Sequence, residues 1–114
     1  MHLANLNSSS IQLSNIESIP GKKIVEFYGI AQGSSVRAKH IGKDFFAGIK
    51  NVFGGELKAY TELLNESRKE ALERLVEQAK SMGANAVVNV RFSTSTIAAG
   101  ASEIFAYGTA VKVN

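Results

Sequence analysis

The chain has 114 residues, 45% of them hydrophobic and 20% charged, which is the size and balance of one globular domain and excludes a disordered or collagen-like chain. It contains no Cys, so disulfides, thiolate zinc sites, iron–sulfur clusters and thiol catalysis are excluded. No apolar run approaches the ~20 residues of a membrane helix, and the first eleven residues lack the basic start and apolar stretch of a secretion signal, so a soluble cytoplasmic protein is expected.

Residues 1–10 are polar, with Asn7 followed by three serines, and are expected to form a flexible extension ahead of a single domain over 11–114. Residues 11–15 alternate apolar and polar and predict a short strand, and Pro20-Gly21 predicts a turn. The stretch 22–31 (KKIVEFYGIA) is rich in β-branched and aromatic residues and predicts a strand. Strict alternation puts Val25, Phe27 and Ala31 on one face and Ile24, Tyr28 and Ile30 on the other. Ile41, Phe45, Phe46, Ile49, Val52 and Phe53 fall at helical spacing and predict a short helix over 41–51. After Gly54-Gly55 the spacing predicts a long amphipathic helix over 56–82, capped by Gly83. Its apolar stripe is Leu57, Tyr60, Leu64, Ala71, Leu72, Leu75, Ala79 and Met82. Glu70 and Arg74 form a favourable i,i+4 pair on its side. Residues 86–94 predict a strand with Ala86, Val88, Val90 and Phe92 inward, 97–100 a loop, and 102–113 a last strand with Phe105, Tyr107, Thr109, Val111 and Val113 on one face.

This order predicts an α+β domain, one long helix packed on a small antiparallel sheet. The helix covers only one sheet face. The other retains Ile24, Tyr28 and Ile30, and an uncovered apolar patch of that kind marks an interface, so a homo-oligomer is expected.

Few residues are placed for chemistry. The formal net charge of +3 is concentrated between Arg37 and Lys50, where Arg37, Lys39, Lys43 and Lys50 face one acid, Asp44. Such a segment can meet an anionic partner, although a solvated face is its ordinary explanation and nucleic acid is not expected. Arg68 falls within the apolar stripe, where a guanidinium calls for a carboxylate. Glu103 is the natural partner, with Glu56 and Glu26 in reserve. The pair would fix helix register or join subunits, and Arg68 could otherwise clamp an anion. Gly54-Gly55-Glu56 opens the long helix, but without the Lys-Ser/Thr of a phosphate-binding loop. His2 and His40 are the only histidines, too few for a metal site within one subunit, though His40 or Glu103 could form a ring around a symmetry axis. Ser93, Thr94, Ser95, Thr96 and Ser102 have no oriented base. Tyr28, Tyr60 and Tyr107 are expected to pack in the core.

Several blocks in order, 24–30 (IVEFYGI), 37–44 (RAKHIGKD), 54–64 (GGELKAYTELL), 66–71 (ESRKEA), 83–92 (GANAVVNVRF) and 103–111 (EIFAYGTAV), resemble the YbjQ-like family of uncharacterised bacterial proteins. The resemblance spans nearly the whole chain. It implies a dodecin-like β-α-β-β subunit with additional short strands, assembled as a homopentamer, and a heavy-metal-binding label whose thiolate ligands this chain lacks. The preferred expectation is a non-enzymatic pentamer that binds a small anionic ligand or partner at subunit contacts. Arg68, Glu103 and Glu56 would be its polar anchors and Arg37, Lys39, His40 and Lys43 a basic rim. The alternatives are a metal shared around the axis by His40 or carboxylates, and an enzyme acting on an anionic substrate at an intersubunit cleft.

Overall fold

The computed structural model describes residues 11–37, 55–98 and 101–114, with backbone alone at positions 37, 55–57, 59, 60, 97, 98 and 101. The expected extension over 1–10 and the expected short helix over 41–51 lie outside the described residues. The elements in chain order are β1 (Gln12–Leu13), β2 (Ile24–Arg37), α1 (Gly55–Ser81), β3 (Ala86–Ala98) and β4 (Ala101–Val113). One helix therefore packs on a four-stranded sheet of order β1-β3-β4-β2.

The sheet is mixed, not antiparallel as expected. β2–β4 and β3–β4 are antiparallel, but β1 runs parallel to β3, with Gln12 opposite Ala86. The reason is the route of the chain. β1 enters beside the start of β3, and residues 14–23 then cross the sheet to begin β2 at the end of β4. On the way Ile19 closes a small second core with Ala86, Val88, Val111 and Val113. Asn85 finishes this end with its side-chain amide, which donates to the Val113 carbonyl (3.0 Å) and accepts from the Val113 amide (2.7 Å) as a strand backbone would.

The helix forms where its periodicity places it and stops at Gly83, whose φ of +90° suits a residue without Cβ. The Ala84 amide reaches the Ala79 carbonyl and the Gly83 amide that of Lys80, the paired bonds of a Schellman motif. Ser67, Ala71, Leu72, Leu75, Val76 and Ala79 are its buried face. They meet Ala31, Ile104, Ala106, Ala110 and Val87 in the main core. The strand residues under the helix are small, which lets it settle close. At Gly33 an added Cβ would lie within 2.7 Å of backbone atoms of Ala71, Arg74 and Leu75. Burial of one side chain such as Leu75 contributes about 2 kcal/mol.

Four register shifts interrupt the ladders, at Ile24/Glu26 and Phe27/Gly29 in β2 and at Val88/Arg91 and Thr96/Ala98 in β3, and the middle two correct the expected strand faces. In β2, Phe27 pairs with Val111 but Gly29 with Ala110, so one residue is extra, and Gly29 takes a φ of +105°. Tyr28 consequently turns towards the helix-side core. Phe27 and Ile30, three apart, come to the same open face. In β3 a second extra residue lies between Val88 and Arg91, where Asn89 adopts a positive φ of 54°. Val88 therefore belongs to the small second core, while Val87 and Val90 lie towards the helix. Ala86, Val88, Val90 and Phe92 do not share one inward face. The expected loop at 97–100 is also revised, since β3 continues to Ala98 and pairs there with Ala101.

Tyr28 donates a hydrogen bond to the Glu26 carboxylate, which, with desolvation and the carboxylate's charge, raises its pKa above 10.0. A phenol whose folded pKa is raised contributes stability below its unfolded pKa and loses it as pH climbs through the folded value. In an alkaline absorbance titration of tyrosinate, Glu26→Gln is expected to move the Tyr28 transition back towards the ordinary range. An unmoved curve would show that Glu26 does not hold it.

Candidate functional site: an open sheet face and two unlike edges

Among the described residues, the sheet face away from α1 is covered by residues 14–23 across the start of β3 and the end of β4, where Ile19 packs on Ala86, Val88, Val111 and Val113. Beyond that, three rows cross the sheet in register: Gln32, Tyr107 and Arg91; Ser34, Phe105 and Ser93; Val36, Glu103 and Ser95. The Phe105 and Tyr107 rings lie 5.5 Å apart, within the range of a favourable aromatic pair. Phe27 is 73% exposed, Ile30 74% and Val36 52%. Tyr107 is exposed here too, so of the tyrosines expected in the core it is a surface residue, Tyr28 packs against the core, and the Tyr60 side chain lies outside the described residues. The open apolar face is present as expected, but Phe27, Ile30, Val36 and Tyr107 form it, with Tyr28 withdrawn by the Gly29 bulge.

The two lateral edges differ. On β2, Gln78 accepts from the outward Gln32 amide at 2.5 Å and Arg74 donates to the outward Ser34 carbonyl at 2.5 Å. Glu70 steadies Arg74 at 3.3 Å and accepts from the Ser35 hydroxyl at 2.7 Å. Residues 70, 74 and 78 thus form an i,i+4 ridge of the helix that seals the distal half of this edge. On β3, among the described residues, the outward groups are met as far as Val90, by Gln12, Ser14 and Ile16 of the β1 segment. Along this edge runs an open groove of about 530 Å³, lined by Leu13, Ser14, Asn15, Ile16, Leu72, Val90 and Phe92. Arg91 bridges its rim, donating to the Asn15 carbonyl at 2.7 Å.

Of the predicted anchors, Arg68 and Glu103 are not brought together within one subunit. Arg68 sits half-buried beside the helix stripe and donates to Asn65 at 2.7 Å. Glu103 lies in the last of the three rows, half-buried on the opposite side of the sheet, between Val36 and Ser95. The expected Arg68–Glu103 pair therefore does not form inside a subunit, because β4 alternation gives the helix side to Ile104. The side chains of Glu56 and Arg37, and all of Lys39, His40 and Lys43, lie outside the described residues. Sequence reasoning missed Gln78 as an edge cap and Arg74 beyond its pair with Glu70. The 70, 74, 78 spacing was visible, but the backbone edge it serves was not.

No helix among the described residues is long and apolar enough to cross a membrane. Nor do three His, Asp or Glu side chains gather there in an arrangement able to hold a metal ion.

A single helix on a small open sheet, without an assembled catalytic or metal-ligating cluster among the described residues, defines a class of small α+β domain. The chain belongs to the YbjQ family, described as "Putative heavy-metal-binding", whose model matches residues 11–114. Among similar proteins is a UPF0145 protein of Hahella chejuensis, 64% identical over 87% of this chain and 95% of its own length. Another UPF0145 protein, from the archaeon Archaeoglobus fulgidus, is 52% identical over 90% of this chain and 95% of its own length. The family is thus not confined to bacteria, as the resemblance had implied. A crystal structure of a DUF74-family protein of unknown function from Pediococcus pentosaceus shares the fold, with a TM-score of 0.61 and 11% identity over 91% of this chain and 98% of that one. The heavy-metal description does not fit the residues described within one subunit, and the chain has no Cys with which to hold a soft metal ion.

Proposed function

We propose that the chain is the non-enzymatic subunit of a homo-oligomeric ring, five subunits of dodecin-like kind, that binds a small anionic ligand or partner where subunits meet. The observation that carries this is the open sheet face. Phe27, Ile30, Val36 and Tyr107 are large apolar side chains left exposed together, and monomeric proteins rarely leave such a surface uncovered.

Glu103 supports a polar anchor at the contact. It is half-buried on that face and, among the described residues, makes no ion pair. A cation from a neighbouring subunit, Arg68 or the Arg37, Lys39, His40 and Lys43 rim, would satisfy it and leave the remaining basic groups to hold an anion. The family's metal-binding description favours a second reading, in which His40 or Glu103 of several subunits share one ion.

Native mass spectrometry of untagged protein from a cell extract separates these readings. Pentamers carrying a reproducible organic anion are the expected result. Pentamers carrying a stoichiometric metal, lost on His40→Ala, would replace the first reading with the second. Monomers would contradict both.

A further inference from the structure

We infer that subunits join by overlap. The β2 side of the open face in one subunit lies on the helix-side flank of β3 in the next, seating Ile30 and Phe27 in its groove and bringing Glu103 to its Arg68. This rests on the ring assembly proposed above and names the surfaces that make it.

The receiving surface exists because α1 is offset on the sheet. It lies over β2 and β4 and barely touches β3, so β3 keeps a bare flank on the helix side. Phe92 stands opposite the core residue Ala106 in the ladder, which turns it to that side, yet it is 44% exposed. With Leu13 and Val90, which pack against the main core, and Leu72 of α1, it walls the groove of about 530 Å³. Phe27 and Ile30 are exposed on the other face and the other flank of the sheet. One subunit cannot bring these surfaces together, but two can. Because the surfaces differ, the contact is heterologous and propagates until rotation closes it. The helices, as the thicker layer, take the outside of the ring, and the rest of the open face, with Phe105 and Tyr107, turns towards the axis.

Rotation about an axis along the strands keeps each residue at its own level, so the surfaces must match in height. β4 gives the scale, since β2 and β3 both pair with it. The groove runs from the level of Ala110, where Leu13 lies against Val87, to that of Ala106, opposite Phe92. Ile30 stands at the level of Thr109 and Phe27 at that of Val111. Ile30 therefore falls within the groove and Phe27 at its Leu13 end.

Charge gives an independent check. Glu103 is half-buried on the open face beside Val36, with no ion pair among the described residues. α1 runs back along β2: Gly33, level with Ala106, lies under Ala71 and Leu75, and Ser35, level with Ile104, bonds Glu70. Arg68 precedes Leu72 by four residues, about 6 Å along the same side of the helix, and so comes level with Ile104 and Glu103. The overlap that seats Ile30 in the groove thus sets the Arg68 guanidinium of one subunit at the height of the Glu103 carboxylate of the next. The pair that does not form within a subunit forms between two.

Two experiments test this, with wild-type assembly measured alongside. Because the chain has no Cys, the double variant Ile30→Cys/Phe92→Cys treated with a short bis-maleimide reports neighbours on a clean background, and within one subunit the sheet stands between the two positions. A ladder of cross-linked species rising to the full ring is expected, with neither single variant cross-linking. In sedimentation velocity, Arg68→Glu and Glu103→Arg are each expected to raise the concentration at which the ring dissociates by roughly tenfold or more, with unchanged circular dichroism. The exchanged pair Arg68→Glu/Glu103→Arg is expected to restore it. An intact wild-type ring with no ladder would overturn the overlap and leave the ring standing, as would single charge variants that assemble like wild type or an exchange that restores nothing. Cross-linked dimers from either single cysteine variant would overturn it in favour of a two-fold contact. A monomeric wild type would overturn both the overlap and the ring.

Discussion

Gly33→Ala is expected to destabilise the subunit by about 3 kcal/mol, at the upper end of what overpacking a core costs. Most small-to-large changes can be absorbed by a side chain swinging aside. Here the obstacles are backbone atoms of Ala71, Arg74 and Leu75, all within 2.7 Å of the new Cβ, so the helix itself must lift. Lifting it withdraws Leu75 and Ala71 from the core and stretches the bonds of Arg74 and Gln78 to the β2 edge. Gly108 provides the comparison. Its added Cβ would meet the Val87 side chain at 2.7 Å and the Val88 carbonyl at 2.9 Å, and the first of these can move, so Gly108→Ala should cost less. Denaturant unfolding of the two variants measures the difference. Equal costs would show that the helix is not held as closely to β2 as the structure places it.

Phe27→Asp/Ile30→Asp is expected to dissolve the assembly while leaving the subunit folded. Both side chains are about three-quarters exposed, at 73% and 74%, so a carboxylate there is solvated in the isolated subunit and costs little. In an assembly that buries the open face it becomes a desolvated charge in each subunit, with a penalty of several kcal/mol apiece as an order of magnitude. Sedimentation velocity reads the loss of the multimer, and the unfolding midpoint at a concentration where wild type is dissociated reads the fold. Retention of the multimer would remove Phe27 and Ile30 from the contact.

Much of the fold was legible because its signals are local. The helix over Gly55–Ser81 follows from apolar spacing and from Gly83, a residue suited to the left-handed stop. The last strand follows from unbroken alternation between Phe105 and Val113. The Glu70–Arg74 pair was visible in its spacing and forms at 3.3 Å. Where the account needed correction, a single inserted residue was responsible. A period of two carries no record of a bulge, so each one moves every later side chain to the opposite face. Gly29 within a β-branched strand was the available hint, whereas Asn89, a non-glycine at positive φ, gave none. The parallel pairing of β1 was not legible either. Two paired residues in a strand hold no directional signal, and direction is set by the crossing that ends at Ile19.

The candidate site was less legible than the fold, for a different reason. An uncovered sheet face follows from counting one helix against two faces, and among the described residues the structure retains it with Ile30 kept, Tyr28 withdrawn, and Phe27, Val36 and Tyr107 added. Arg68 looked central on an ideal wheel, but the buried face runs through Ser67, Ala71 and Val76, leaving Arg68 at its border within reach of Asn65. The unlike edges of β2 and β3 depend on which backbone groups the helix and the β1 segment happen to reach, and no spacing in the chain encodes that.

Sedimentation velocity of the wild-type protein across a range of micromolar concentrations tests the central claim most directly. The account predicts one closed species of five chains, about 61 kDa from subunits of 12.2 kDa. A single 12.2 kDa species at every concentration would contradict it.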